Sequence, residues 1–243
     1  MYLYPMEHLL LLHGAIGAKE QLQPIAEKLA DKYIVHTLSF TGHGGSTIPE
    51  EAFTIPLFAN QALDYLQENN IRKTNVFGYS MGGYVAMFLA KNNPEKISNC
   101  ITLATKYHWD KMVSANEVKK LDPGVIQQKI PAFADQLKQR HAPQAWETVL
   151  KKTAALLEHL GNNNTLKLND YPSIRIPVLL LLGDRDKMIT LEETLAVFEQ
   201  LPNAEMAMLP GTPHQIEQVD KDLLTLLIKN FINKSTDSFP TAN

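Results

Sequence analysis

The stretch at residues 78–83, Gly-Tyr-Ser-Met-Gly-Gly, constrains the fold of this chain more than any other segment. A short strand-like run at residues 75–77 leads into it, and a helix-forming run follows it. In this setting Gly-x-Ser-x-Gly predicts a sharp strand-to-helix turn that lifts the Ser80 hydroxyl clear of a sheet. Gly78 and Gly82 flank the serine because a Cβ atom at either position would collide with the neighbouring strand or helix. The following helix begins with unpaired backbone N–H groups beside that hydroxyl.

Strand-like and helix-like segments alternate on both sides of this turn. Apolar runs typical of strands buried on both faces lie at residues 8–12, 33–40, 97–104, 177–182 and 204–209. Apolar residues at helical spacing lie at residues 19–31, 57–69, 191–201 and 220–233. This order predicts an α/β fold with a mostly parallel central sheet of about six strands, flanked by helices and joined by right-handed crossovers.

The alternation stops between residues 107 and 170. No buried-strand pattern occurs in this segment, and its helical stretches are broken by prolines. The longest, at residues 144–160, carries an apolar face that is typical of packing. We therefore expect a helical cap, or lid, at residues 107–170 over the C-terminal edge of the sheet. The core is then formed by residues 1–106 and 171–234, with a disordered tail at 235–243.

Composition argues against several classes of protein. The net charge is −3 and no Lys/Arg run occurs, which argues against nucleic-acid binding. The single cysteine, Cys100, lies in an apolar run and gives neither a disulfide framework nor a zinc-binding pattern, so we expect no metal and no cofactor. No stretch approaches the ~20 apolar residues that span a bilayer, and no signal-peptide pattern is present. We expect a cytoplasmic monomer or homodimer that binds a small-molecule substrate, with neither nucleic acid nor membrane as a partner.

Two further residues lie where a serine nucleophile needs its partners. A serine hydroxyl is a poor nucleophile until a base removes its proton and a third group orients that base. In a parallel sheet such groups come from the C-terminal ends of strands, where the loops converge. Asp186 follows the fifth predicted strand, and His214 follows the sixth. The chain order Ser80, Asp186, His214 predicts the nucleophile, acid and base of a hydrolase.

Together these features resemble the α/β-hydrolase superfamily, specifically its capped members with a serine nucleophile. The resemblance extends from residue 8 to about residue 231. It rests on His13-Gly14-x-x-Gly17, Gly42-His43-Gly44-x-Ser46, the turn around Ser80, Gly183-x-x-Asp186, and His214 with Glu217 soon after. These patterns are specific for the fold, and none of them identifies the substrate.

The resemblance implies roles for residues in the surrounding loops. It implies an oxyanion hole formed by the backbone N–H groups of Ala15 and Met81. This agrees with their predicted places, after the first strand and at the start of the helix that follows Ser80. It also implies that His13 and His43 hold the conformation of their loops and do not act as bases.

The family pattern Gly-x-x-Asp favours Asp186 over Asp184 as the acid, so we expect Asp184 to bond backbone N–H groups of its own turn. The chain departs from the family at its N-terminus, where members usually have two further antiparallel strands. We therefore expect a shortened sheet, with residues 1–6 at most a fragment of another strand.

The inserted segment supplies the candidate lining of an apolar acyl pocket. These candidates are Trp109, Met112, Phe133 and Trp146. The alternative for each is packing within the lid. Residues 106–170 carry 10 Lys/Arg against 7 Asp/Glu, a net charge of +3. Lys106, directly after the fourth strand, is placed to meet a carboxylate or phosphate of the substrate. The alternative is that these lysines solvate the outer face of the lid.

The leading function is hydrolysis of a small-molecule ester, thioester, lactone or amide through an acyl-enzyme on Ser80. Two alternatives stay open: a carbon–carbon bond hydrolase with the same triad, and a ligand-binding signalling protein of the same fold that turns over slowly or not at all. An epoxide hydrolase or dehalogenase is disfavoured, because those relatives have aspartate at the position of Ser80.

Overall fold

One parallel sheet forms the centre of the molecule in the computed structural model, which describes residues 6–237. Its strands are β1 (Glu7–Leu12), β2 (Tyr33–Leu38), β3 (Thr74–Tyr79), β4 (Ile97–Leu103), β5 (Val178–Gly183) and β6 (Ala204–Leu209). Their order across the sheet is β2-β1-β3-β4-β5-β6, and every neighbouring pair is parallel. The predicted α/β fold with about six strands is confirmed. Because all strands run the same way, the loops after them meet at one edge.

Helices cover both faces of this sheet. They are α1 (Gln23–Leu29), α2 (Ile55–Glu68), α3 (Met81–Asn92), α4 (Lys111–Val118), α5 (Pro123–Lys129), α6 (Pro131–His141), α7 (Trp146–Asn162), α8 (Leu191–Phe198) and α9 (Lys221–Asp237). Successive strand residues point to opposite faces. Leu10 and Leu12 of β1 therefore pack with α2 and α3, whereas Leu9 and Leu11 pack with α1 and α9. None of the helices within the described residues is long and apolar enough to cross a membrane.

The two largest differences from the predicted helix boundaries are at the first and the last helix. The helix predicted at residues 19–31 is split into a 3-10 turn, Lys19–Leu22, and α1, because Pro24 lacks an N–H group and fits the first turn of an α-helix. Helix α9 continues to Asp237, so the tail predicted from residue 235 begins inside a helix that its packed preceding turns support. Residues 238–243 of that tail, and residues 1–5 at the other end, lie outside the described part of the chain.

Helices α4–α7 lie between β4 and β5 in the chain, within the segment for which we expect a cap. The apolar face of α7 packs into the core on the side of α2 and α3 through Val149, Leu156 and Leu160. A second, smaller cluster lies within the insertion itself. Its members are Ile126, Ala134, Leu137, Trp146 and Leu150. The insertion therefore has a core of its own and is also attached to the main one.

Buried imidazoles connect the loops at the C-terminal edge of the sheet. The side chains of His13, His43 and His141 are fully buried. The ring centroid of His43 lies 5.3 Å from that of His13 and 5.8 Å from that of His141. His13 donates from Nδ1 to the Gly14 carbonyl at 2.7 Å and accepts at Nε2 from the Phe40 N–H at 3.0 Å. Burial lowers the pKa of His13 and of His141 from 6.5 to about 4, and lowers the pKa of His43 well below 6.5. All three rings are therefore neutral at pH 7.

These buried histidines predict a loss of stability in mild acid. Between pH 6.5 and about 4 the unfolded chain binds protons at His13 and His141 that the folded chain does not bind. The free energy of unfolding must therefore decrease as the pH falls through this window. Each of the two histidines lowers the free energy of unfolding by roughly 2 kcal/mol between pH 7 and pH 5. Urea unfolding at several pH values between 7 and 5 measures the decrease.

Two variants test the assignment. In His13→Gln the unfolded chain can no longer bind a proton at this position. The stability of the variant should therefore depend less on pH than that of the wild type, even if it is lower at pH 7. His159 is exposed on α7, and His159→Gln should leave the slope unchanged. A wild-type stability that stays flat between pH 7 and 5 would show that these rings are not held neutral by burial.

Candidate active site

Ser80 occupies a strained turn between β3 and α3. Its backbone has φ 52° and ψ −116°, a conformation that a non-glycine residue rarely adopts. The turn is tight because α3 starts against β1: a Cβ on Gly82 would lie 2.3 Å from the Leu12 carbonyl oxygen. A Cβ on Gly78 would lie 2.3 Å from the Gly82 carbonyl oxygen. Glycine is therefore required on both sides of Ser80, as the sequence pattern predicts.

Asp186 and His214, at the ends of β5 and β6, are in direct contact. Nδ1–H of His214 donates to Oδ2 of Asp186 at 2.7 Å, and the Asp186 side chain is fully buried. Its other oxygen accepts from the backbone N–H groups of Met188 at 2.7 Å and Ile189 at 3.0 Å. Burial alone would raise the pKa of Asp186, but these hydrogen bonds, the one from His214 first, hold it below its usual value. The carboxylate is therefore ionised and points at the imidazole.

Two further contacts fix the loop that carries His214. The Tyr79 hydroxyl donates to the His214 carbonyl at 3.0 Å. Asp184 accepts from the Thr212 N–H at 3.0 Å. This carboxylate therefore holds the histidine loop, whereas the sequence predicted bonds to N–H groups of its own turn. The loop can lie this close because β5 ends in Gly183, where a Cβ would meet the Thr212 carbonyl oxygen at 2.1 Å.

Ser80, His214, Ala15 and Met81 line one cleft, with about 510 Å³ of empty space that includes its open mouth. Ala15 lies in the loop after β1, and Met81 is the first residue of α3. Within residues 6–237 neither of their backbone N–H groups has a hydrogen-bond acceptor. The cleft thus combines a serine, a histidine held by a carboxylate, and two uncommitted backbone donors.

The rest of the cleft is mostly apolar. Its other lining residues are Ile55, Tyr84, Lys106, Trp109, Glu117, Leu157, Leu160, Met188 and Ile189. Trp109, Glu117 and the two α7 residues come from the inserted segment at residues 107–170. The structure does not place Met112, Phe133 or Trp146 here. Met112 lies on the outer side of α4 with 71% of its surface exposed, and the two aromatic residues pack with the small cluster inside the insertion.

Lys106 lies in the cleft wall rather than on the outer face of the insertion. Its Nζ is 3.3 Å from Oε2 of Glu193, and both side chains are largely buried. Glu193 also accepts from the Tyr107 N–H at 3.0 Å and closes a capping box with Thr190 at the start of α8. The charge that the sequence made available to an anionic substrate is therefore already paired with a carboxylate of the protein.

Sequence reasoning missed Glu193 and Tyr79 as parts of the site. The Thr190-x-x-Glu193 spacing indicates a helix start, but nothing in it shows that the carboxylate also meets Lys106. Tyr79 stands beside the nucleophile in the sequence, yet its partner is the carbonyl of a residue 135 positions away. Neither contact has a local signature that sequence reading can use.

Comparisons with known proteins report several relatives. The family model for the alpha/beta hydrolase fold matches residues 7–144. A pimeloyl-[acyl-carrier protein] methyl ester esterase from Chromobacterium violaceum is 26% identical over 223 residues, covering 84% of this chain and 83% of the relative. Esterase YbfF from Escherichia coli is 21% identical over 249 residues, covering 93% of this chain and 92% of the relative. The structure of a thermophilic esterase from Thermogutta terrifontis has a TM-score of 0.77 at 20% identity, covering 94% and 90% of the two chains.

The structural likeness shows a shared fold, since the identity to that esterase is low. The family model extends over more than half of the chain, and the parallel sheet and the turn at Ser80 are those that the family pattern predicts. The chain therefore belongs to the α/β-hydrolase fold family, among relatives that include esterases.

Proposed function

We propose that this protein is a serine hydrolase that cleaves small-molecule esters through an acyl-enzyme on Ser80. The observation that carries the proposal is the buried Asp186–His214 hydrogen bond at the edge of the cleft that Ser80 also lines. In this assignment Ser80 is the nucleophile, His214 the general base and Asp186 the group that orients the base.

The first half of the reaction acylates Ser80. Because Nδ1 of His214 is bonded to Asp186, Nε2 is the nitrogen left to take the hydroxyl proton. The serine oxygen then forms a bond to the ester carbonyl carbon. His214 returns its proton to the leaving alkoxide as the carbon–oxygen bond breaks, and an alcohol departs.

The second half releases the acid. A water molecule gives a proton to His214 while its oxygen attacks the acyl carbon, and Ser80 recovers the proton as it leaves. In both halves the carbonyl oxygen becomes negatively charged. The free N–H groups of Ala15 and Met81 are the donors that we assign to this oxyanion, with the positive end of the α3 dipole beside them.

Oxygen esters are the substrate class that the relatives favour. The curated relatives described above are named as esterases, and this chain matches most of the length of each. Hydrolysis of a carbon–carbon bond would use the same triad, but no residue of the cleft specifically favours it.

The residues 107–170 act, in this proposal, as a lid that forms part of an acyl pocket. Trp109, Leu157 and Leu160 of this segment line the cleft together with Ile55 and Ile189 of the core. The charged groups of the cleft wall are paired, Lys106 with Glu193 and Glu117 with Lys120. Desolvating an unpaired charge is costly, whereas an apolar acyl chain gains free energy on burial. We therefore assign an uncharged, apolar acyl group to the pocket.

Replacing Ser80 tests the nucleophile. Ser80→Ala should fold as the wild type does and lose at least ~10³-fold in kcat on p-nitrophenyl esters, since binding and the oxyanion hole alone remain. A fluorophosphonate probe should label the wild type and not the variant. Ser98 is a half-buried serine at the opposite end of β4, and Ser98→Ala is the matched control that should keep both properties.

Ester hydrolysis by Ser80→Ala at close to the wild-type rate would refute the assignment. A wild type that is neither labelled nor active on any ester of varied chain length would instead favour the ligand-binding alternative.

The two aspartates of the β5 turn provide a matched pair of variants. Asp186→Asn leaves the shape intact but replaces the acceptor that fixes the His214 tautomer, so kcat should fall by at least about 10²-fold. Asp184→Asn keeps an oxygen that can accept from Thr212, so kcat should stay within about threefold of the wild type. Steady-state kinetics of both variants on one ester make the comparison. The opposite order of the two effects would assign the triad acid to Asp184.

The Lys106–Glu193 pair tests the uncharged acyl group. Removing Lys106 alone would leave the Glu193 carboxylate to repel anions, so the informative variant is Lys106→Met/Glu193→Gln, which keeps the net charge and a capping side chain at N3. The ratio of kcat/KM between a neutral ester and its analogue with a terminal carboxylate should change by less than about threefold.

The prediction is contradicted if the double variant loses about tenfold or more of its kcat/KM on the carboxylate ester alone. That outcome would mean that Lys106 binds an anionic substrate in spite of its partner.

A further inference from the structure

The turn that presents Ala15 contains an unfavourable backbone conformation. The Gly17 N–H donates to the Gly14 carbonyl at 3.1 Å, which closes a β-turn over Ala15 and Ile16. Ile16 has φ 51°. A positive φ at the third position of a β-turn normally requires glycine or asparagine, and for a β-branched side chain it is a genuine outlier. The surrounding structure must therefore hold this turn in place.

Two side chains of the inserted segment hold the Ile16 carbonyl. Arg140, at the end of α6, donates from Nη1 to this oxygen at 3.0 Å, and the neighbouring His141 donates from Nε2 at 3.1 Å. The Gly44 N–H donates to His141 Nδ1 at 3.2 Å, so the ring proton is on Nε2 and points at Ile16. One strained peptide is thus fixed by two donors from a segment more than a hundred residues away.

The Ile16 side chain is held by the same segment. It packs against the cluster inside the insertion, whose members include Leu137 of α6 and Trp146 and Leu150 of α7. The insertion therefore contacts this residue through both its carbonyl and its side chain. A contact made for packing alone would not need the two hydrogen-bond donors as well.

Arg140 also connects the turn to the loop that carries His214. Its guanidinium is 3.9 Å from Glu217, which follows the histidine by three positions. Glu217 accepts from the Gln21 side-chain amide at 2.6 Å, and the oxygen of the same amide accepts from the Ala18 N–H at 3.1 Å. The Arg140 guanidinium thus lies between the Glu217 carboxylate and the Ile16 carbonyl, to which it donates.

We propose that Arg140 and His141 are positioning residues that keep the Gly14–Gly17 turn in the conformation required for catalysis. This inference rests on the proposed function, in which the Ala15 N–H binds the oxyanion. Because Arg140 and His141 act through the Ile16 peptide and do not line the cleft, they affect the transition state more than substrate binding. The inserted helices then contribute to the rate of the chemical step as well as covering the cleft.

Arg140→Met tests the proposal, because it removes the donor and keeps much of the apolar stem. Its kcat should fall by about tenfold with KM within about twofold, since a small displacement of an oxyanion donor costs rate and not ground-state binding. Inhibition by a boronic acid, which forms a tetrahedral adduct on serine, should weaken by a similar factor. Lys138→Met is the control, because it removes a positive charge from an exposed position of the same helix.

A second background separates positioning from general damage. Glycine adopts a positive φ without strain, so in Ile16→Gly the turn no longer depends on Arg140. Adding Arg140→Met to Ile16→Gly should therefore lower kcat by less than about twofold. An equal loss in both backgrounds, a loss confined to KM, or the same loss in Lys138→Met would overturn the proposal.

Hydrogen exchange tests the positioning without using activity. In Arg140→Met the Gly17 amide, which closes the turn, should exchange faster than in the wild type, and Lys138→Met should not change it. Unchanged exchange overturns the positioning role whatever the activity. A wild type without hydrolytic activity overturns the proposed function separately, because the exchange result does not depend on it.

Discussion

The start of α3 lies against the end of β1 without room for a side chain, and the geometry of the candidate site depends on that contact. A Cβ on Gly82 would lie 2.3 Å from the Leu12 carbonyl oxygen, so only glycine permits the approach. With helix and strand this close, Ser80 turns through a positive φ and its side chain lies beside the first N–H groups of α3. The same contact brings Met81 next to the loop after β1, so that Ala15 and Met81 line one cleft. Backbone packing, more than side-chain chemistry, places the proposed nucleophile.

The polar groups around this edge are each paired or neutral. The Asp186 carboxylate is buried and accepts hydrogen bonds from His214 and two backbone amides. Lys106 and Glu193 neutralise one another, and burial keeps the imidazole of His13 uncharged. An uncompensated charge in such surroundings costs several kcal/mol, which explains why none is left in the wall of the cleft. In an apolar cleft of this kind, fixed backbone dipoles act strongly on a charge that develops during a reaction, because little water is present to screen them.

Sequence patterns predicted the features whose physical cause is local. Continuous apolar runs define strands buried on both faces, and the glycine spacing around the serine defines the turn, because each is decided within a few residues. The contacts that the sequence did not reveal join distant segments: Glu193 reaches back 87 positions to Lys106, and Arg140 reaches back 124 positions to Ile16. The apolar face that includes Trp146 illustrates the same limit. Its spacing is identical whether it faces the core, another inserted helix or a ligand. Only the fold shows that Trp146 packs inside the insertion while Val149 and Leu160 pack into the main core.

The position of the insertion explains how one segment can contact both the wall of the cleft and the turn beneath it. It leaves the sheet after β4 and returns before β5, so it begins at the edge where the other strand ends carry the site. Leu157 and Leu160 on α7 form part of the wall, whereas Arg140 at the end of α6 is bonded to the Ile16 carbonyl. Leu157 and Leu160 do not belong to the cluster that contacts Ile16, so side chains in the wall can change without altering that contact. A movement of the insertion as one body would also shift the support of the turn, because the cluster that joins its helices contacts Ile16. Such a movement would change the shape of the cleft and the support of the turn together. In the function that we propose, it would couple what the site binds to how fast it reacts.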